Sequence, residues 1–157
     1  MKLERNRALR WAYGVTIAVM AFTGFGQMPI FKRYGISAIP GMAWAADFYV
    51  TLFIHYLGAV LLAGLLAYVI ADHALVRRKV ARISAAGYVR AAILTCIVGT
   101  GIFRVLKNLP DVDFSPAFTM FIDISHLGFM MTYGAAALLF WRLRARWVTE
   151  KIPVRNR

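Results

Sequence analysis

The sequence predicts an all-α membrane protein, a four-transmembrane-helix up-down bundle with both termini cytoplasmic. Three observations carry that expectation. Of the 157 residues, 61% are hydrophobic and the mean hydropathy is +0.62, whereas ordinary soluble domains have about 45–50% apolar residues. Four stretches, at about 9–27, 48–71, 88–105 and 117–143, are long enough for a bilayer core of ~30 Å, which takes about 20 residues of helix. The basic residues fall mostly on one side of those stretches. Too few residues remain for a separate soluble core, so 1–157 reads as a single transmembrane four-helix domain.

The charge pattern sets the expected orientation. Lys2, Arg5, Arg7 and Arg10 precede the first span, and Arg77, Arg78, Lys79, Arg82 and Arg90 lie in or beside the second-to-third connection. Arg142, Arg144, Arg146, Lys151, Arg155 and Arg157 follow the fourth. This places 15 of the 19 basic residues on one side, with Lys32, Arg33, Arg104 and Lys107 on the other. The positive-inside rule then puts both termini in the cytoplasm of a bacterial inner membrane. Asp47, Asp111 and Asp113 fall on the periplasmic side. The net charge of +12 is therefore read as a topology signal whose partners are anionic lipid headgroups, not nucleic acid.

The first span opens with Trp11 and Tyr13, placed for an interfacial aromatic belt, and closes on Thr23-Gly24 before Pro29. It is too long for a signal-peptide core, and no small-x-small cleavage site stands near Gly24–Pro29, so a retained span is expected. The connection to Asp47 contains Gly35, Pro40, Gly41 and Trp44, the last an expected interfacial anchor. It is the longest outer connection and a plausible docking surface. The second span carries Gly58 and Gly64 and ends near Asp72-His73; the third carries Gly99 and Gly101. After a short loop with Pro110, Asp111, Asp113 and Pro116, the fourth carries Gly128 and Gly134. Small residues inside spans let helices pack closely or make room for a flat cofactor. An internal echo joins the halves: Thr23-Gly24 matches Thr100-Gly101, and His55-Tyr56-Leu57-Gly58 matches His126-Leu127-Gly128. A duplicated helical hairpin would explain it.

His55 and His126 carry the expected chemistry. Lipid offers an imidazole no water, so a ring inside a span needs a partner. Both spans run in the same direction, with His55 about seven residues after the start of its span and His126 about nine, roughly 10–14 Å deep at ~1.5 Å per residue. That suits two axial ligands on one haem iron in a bundle core. Separate hydrogen bonding to neighbouring helices, or a di-histidine metal site without haem, are the alternatives. His73 stands 18 residues after His55, about 27 Å further along the helix and at the opposite interface. Arg104 is placed to meet a haem propionate or to snorkel to headgroups. Asp123, one turn from His126, is a candidate for quinone contact or proton uptake, or a hydrated interfacial carboxylate. Cys96 is the only cysteine, which excludes an internal disulfide, a Cys-based zinc site, an iron–sulfur cluster and CxxCH haem attachment within this chain. A small packing residue is its expected role.

These residues resemble the four-helix cytochrome b subunits of formate dehydrogenases and nickel–iron hydrogenases. Those subunits begin Arg-aromatic-x-His-Trp and end the first helix on Thr-Gly; this chain reads Arg10-Trp11-Ala12-Tyr13-Gly14, then Thr23-Gly24. The resemblance implies two b haems in the family, the outer one held by histidines of the second and fourth helices, which His55 and His126 match. The inner haem's ligand positions hold Tyr13 and a stretch around Phe140, so only the outer haem is expected here. The implied function is a membrane-anchoring electron-transfer subunit passing electrons between a periplasmic dehydrogenase or cytochrome and membrane quinone, with haem b as cofactor. A haem-free anchor or assembly subunit is the alternative. A small transporter fits less well, since no Glu or Lys lies deep in any span.

Overall fold

The computed structural model describes residues 7–150. Lys2, Arg5, Lys151, Arg155 and Arg157 of the basic flanks lie outside the described residues, as does the side chain of Lys32. The all-α class holds, with 77% of the described residues helical. The helices are α1 (Arg7–Gly26), a single turn α2 (Ile30–Arg33), α3 (Phe48–Leu75), α4 (Ala85–Leu106) and α5 (Pro116–Arg142). All except α2 are long and apolar enough to cross a membrane. Their ends follow from capping. Asp47 accepts from the backbone N–H groups of Tyr49 and Val50, Ser84 from Gly87, and Ser115 from Phe118, which satisfies amides that a first turn leaves without helical partners. Ser84 starts α4 three residues before the apolar pattern does, and α3 runs four residues past it, to Leu75.

The surfaces of these helices suit lipid. Val60, Ile70 and Leu138 are 73%, 67% and 69% exposed, an arrangement that water would penalise over so large an area. Packing inside each helix pair relies on small contacts instead, as expected where lipid is as apolar as the helix itself.

The chain divides into two compact units, one ending at Val76 and the other beginning at Arg77. Each is a helical hairpin. In the first, α1 and α3 run antiparallel: Gly26 faces Thr51, Thr23 faces His55, and Met20 faces Gly58. A Cβ at Gly58 would stand 2.7 Å from Met20 Cγ. Of the two uses expected for such bare backbone, close packing and room for a cofactor, Gly58 serves the first. The connection between α1 and α3 is folded rather than loose. It turns at Gly35 and Gly41, both at positive φ, and packs Phe31 and Trp44 on Phe22, with ring centroids 5.7 Å apart in both pairs. Phe31 and Ala45 are buried there. Trp44, expected as an interfacial anchor, packs on Phe22 and closes this loop.

In the second unit, α4 and α5 are antiparallel, with Thr100 opposite His126 and Arg90 opposite Phe140. Past α5 the chain reverses at Arg144, whose φ is 52°. It then forms β2 (Val148–Glu150), paired antiparallel with β1 (Ala81–Ile83), Ile83 opposite Val148. The segment between is pinned to the start of α4. Ser84 Oγ donates to Arg146 O, Ser84 N–H donates to Trp147 O, and Arg90 Nη2 donates to Ala145 O at 3.2 Å. The Arg90 guanidinium lies 4.6 Å from the centroid of Phe140 and 5.2 Å from that of Trp147, a cation–π clamp. Gly87 lets this segment cross, because a Cβ there would run into the Trp147 carbonyl.

Gly87→Ala should therefore lever this segment off α4. The expected cost is about 1–3 kcal/mol, as for other overpacked sites, read as a lower unfolding midpoint in detergent together with faster tryptic cleavage after Arg144 or Arg146. Gly134→Ala, which meets nothing within 4 Å, should change neither.

Candidate functional site

Each hairpin holds one histidine against one threonine. Thr23 Oγ1 lies 3.1 Å from His55 Nδ1, and Thr100 Oγ1 lies 3.0 Å from His126 Nδ1. In both hairpins a glycine follows the threonine and lies beside the ring. A Cβ at Gly24 would meet His55 Cε1 at 3.4 Å, and one at Gly101 would meet His126 Cε1 at 3.3 Å. The Thr-Gly dipeptide thus joins a hydrogen-bonding group to a gap that admits an imidazole edge.

The hydroxyl protons already have acceptors. Thr23 Oγ1 donates to Val19 O at 2.8 Å and Thr100 Oγ1 to Cys96 O at 2.8 Å, each the carbonyl one turn back. A hydroxyl has one proton and two lone pairs, so each threonine is left to accept from its histidine. With its proton on Nδ1, each ring would keep its lone pair at Nε2, the form in which a neutral imidazole ligates a metal. Both rings are half-buried.

The same positions are buried around both histidines. Four residues before His55 stands Thr51, 0% exposed, and four before His126 stands Ile122, 1% exposed. Seven residues after them stand Leu62 and Tyr133, also buried. His55 is the eighth residue of α3 and His126 the eleventh of α5, while Thr23 is three residues from the end of α1 and Thr100 six from the end of α4. Both helices of the second hairpin therefore extend about one turn further at the loop end, and the Thr–His pair keeps its place. The echo read in the sequence is a structural repeat.

Arg104 and Asp123, considered separately in the sequence, meet each other. Arg104 Nε lies 3.2 Å from Asp123 Oδ1, and Lys107 Nζ lies 2.8 and 2.7 Å from Oδ1 and Oδ2. Two cations thus share one carboxylate at the loop end of the second hairpin, one turn from His126. Lys107 was counted in the sequence only towards charge. Beside this cluster, Phe103, Phe114 and Phe118 pack edge to face, with centroids 5.1–6.3 Å apart. His73 stands in the last turn of α3, away from Thr23 and His55. Cys96 is an exposed free thiol whose carbonyl accepts from Thr100. Phe140, at an expected inner-haem position, carries the Arg90 guanidinium. Among the described residues, no group of three His, Cys, Asp or Glu side chains is arranged to hold a metal ion.

No family model matches the chain, and no curated protein or solved structure does so either. The functional reading therefore rests on the chemistry of these residues.

Because Gly101 lies closer to its ring than Gly24 does, Gly101→Ala should displace His126 by a few tenths of an ångström. Ring resonances of 15N-histidine-labelled protein should move for His126 in that variant and less for His55 in Gly24→Ala. Gly99→Ala and Gly14→Ala, which meet nothing, should leave both unmoved.

Proposed function

We propose that this chain is a membrane-anchoring b-type cytochrome subunit of a respiratory complex. It would pass electrons between a periplasmic redox partner and the quinone pool through one haem that His55 and His126 would hold. The observation that carries this reading is the repeated pair of histidines in apolar helices, each with Nδ1 against a threonine hydroxyl, at 3.1 and 3.0 Å. Such a ring offers a single donor atom, Nε2, and two of them suit a metal that a macrocycle already encloses. Haem b supplies a reversible one-electron carrier when bound. The protein's own residues fix the donor atoms, exclude water with apolar helices and limit access to the iron.

The charge bias supports an orientation with both termini inside a bacterial cytoplasmic membrane, which puts both histidines in the outer half. In that orientation Arg104 and Lys107 leave their cluster with Asp123 at net +1, suited to a haem propionate. A quinol headgroup would reach Asp123 only in competition with those two cations. The reading places the chain beside the four-helix cytochrome b subunits of formate dehydrogenases and nickel–iron hydrogenases, with the outer haem alone. Its closest associates would be other subunits of a membrane redox complex.

A second reading is favoured by the same hydrogen bonds. Thr23–His55 and Thr100–His126 each tie two helices of one hairpin together, as a haem-free anchor or assembly subunit would require. One such bond within a membrane contributes about 1 kcal/mol or less, which is modest support for a hairpin but enough to orient a ring.

The visible spectrum separates the two. Purified protein should show reduced-minus-oxidised bands of a low-spin b haem. His55→Ala and His126→Ala should each abolish them, while His73→Ala retains them. A colourless wild-type protein, or bleaching by the His73 change alone, would overturn the assignment.

A further inference from the structure

We infer that Thr23 and Thr100 are a matched pair of positioning residues, which set the tautomer of His55 and His126 and thereby how strongly each imidazole donates to iron; the inference rests on the haem reading above. Other threonines in the spans show what a hydroxyl does there by default. Thr16, Thr95 and Thr132 each donate to the carbonyl four residues back, at 2.7, 2.9 and 2.8 Å. That bond uses the hydroxyl proton within the helix and leaves oxygen lone pairs on the surface. At Thr23 and Thr100 an imidazole nitrogen is placed against such an oxygen, at 3.1 and 3.0 Å. The acceptor is thus prepared by its own helix, and the ring must supply the N–H.

The arrangement is reached twice by different routes. The partners are 32 residues apart in the first hairpin and 26 in the second, because the connecting loops differ in length. The ring, the hydroxyl and the adjoining glycine nevertheless recur together. A packing accident would have no reason to preserve the atom pair Oγ1–Nδ1 across two loops of different length.

The choice of threonine also has an electronic consequence. A carboxylate at Nδ1 would draw the proton strongly and push the ring towards imidazolate character, while an apolar neighbour would leave Nδ1 without an acceptor. A hydroxyl lies between these. It orients the ring and raises its basicity modestly, without bringing a charge into the membrane, where a charge is costly. Both rings receive the same treatment, so neither ligand is favoured over the other.

Threonine-to-valine exchange keeps the shape and removes the acceptor, and serine restores the acceptor. The test uses the full chain in detergent, first without haem and then with added haem b. In 15N-histidine spectra of the haem-free protein, His55 and His126 should carry the proton on Nδ1. Thr23→Val should disturb His55 alone and Thr100→Val His126 alone, with Thr→Ser at either site resembling the wild type. In the haem-loaded protein the double valine variant should have a higher midpoint potential, because a less basic imidazole stabilises ferric iron less. The expected shift is up to a tenfold change in the ferric–ferrous equilibrium, about 59 mV for one electron. Wild-type rings protonated on Nε2, or valine variants with unchanged ring spectra and potential, would overturn the inference. A chain that takes up no haem overturns the haem reading and the claim that Nε2 faces iron, while the ring spectra still decide whether the threonines set the tautomer.

Discussion

An imidazole placed in lipid must find a hydrogen-bond partner within the protein, because the bilayer core supplies no water. Here that constraint is met by a hydroxyl whose own proton is committed to the helix carrying it. Thr23 gives its proton to Val19 O and Thr100 to Cys96 O, and each oxygen lies within hydrogen-bond distance of a histidine Nδ1 on the opposing helix. Much of the rest is arranged around that contact. The glycine after each threonine admits the ring, the residue four before each histidine is sealed in the helix interface, and the residue seven after it is buried as well. The bond itself is weak. In the proposed reading its importance lies in removing an alternative, since a ring with its proton held at Nδ1 could offer only Nε2 as a donor to a metal.

The two ends of each hairpin do different work. At the loop end, side-chain pairing and aromatic contact close the structure: Phe22 with Phe31 and Trp44 in the first unit, Arg104 and Lys107 with Asp123 in the second. At the open end of the second unit, the chain beyond α5 folds back to form a short ribbon and places Arg90 between Phe140 and Trp147. Arg90 is 7% exposed. A guanidinium buried to that degree is tolerated because aromatic faces and the Ala145 carbonyl receive it.

The helices were legible because lipid leaves so little choice. A span must be apolar and about 20 residues long, and the four were read to within a few residues, the differences arising where Ser84 caps α4 early and where α3 outlasts its apolar run. His55 and His126 were legible as polar rings in apolar surroundings, and the Thr-Gly echo was visible as letters. Its purpose was not, since the spacing from threonine to histidine differs between the halves and no fixed interval marks the pair. The β1–β2 ribbon escaped for a similar reason: two three-residue strands lie far apart in sequence and neither alternates in polarity over a readable length. Gly58 was read as a place for close helix packing or for a flat cofactor, and Met20 from α1 packs there, a contact that one helix's sequence cannot show. Arg104, Lys107 and Asp123 carried no mark of their shared cluster beyond opposite charge at similar depth.

Both histidines meet a threonine hydroxyl through the same atom pair, and the proposal that they share one haem is open to a direct count. Counting haem against protein tests this most directly. Pyridine haemochrome absorbance set against amino-acid analysis of the purified chain should give one protoporphyrin haem per polypeptide. A ratio near zero would leave the histidines as helix ties, and a ratio near two would mean that each hairpin serves a separate iron.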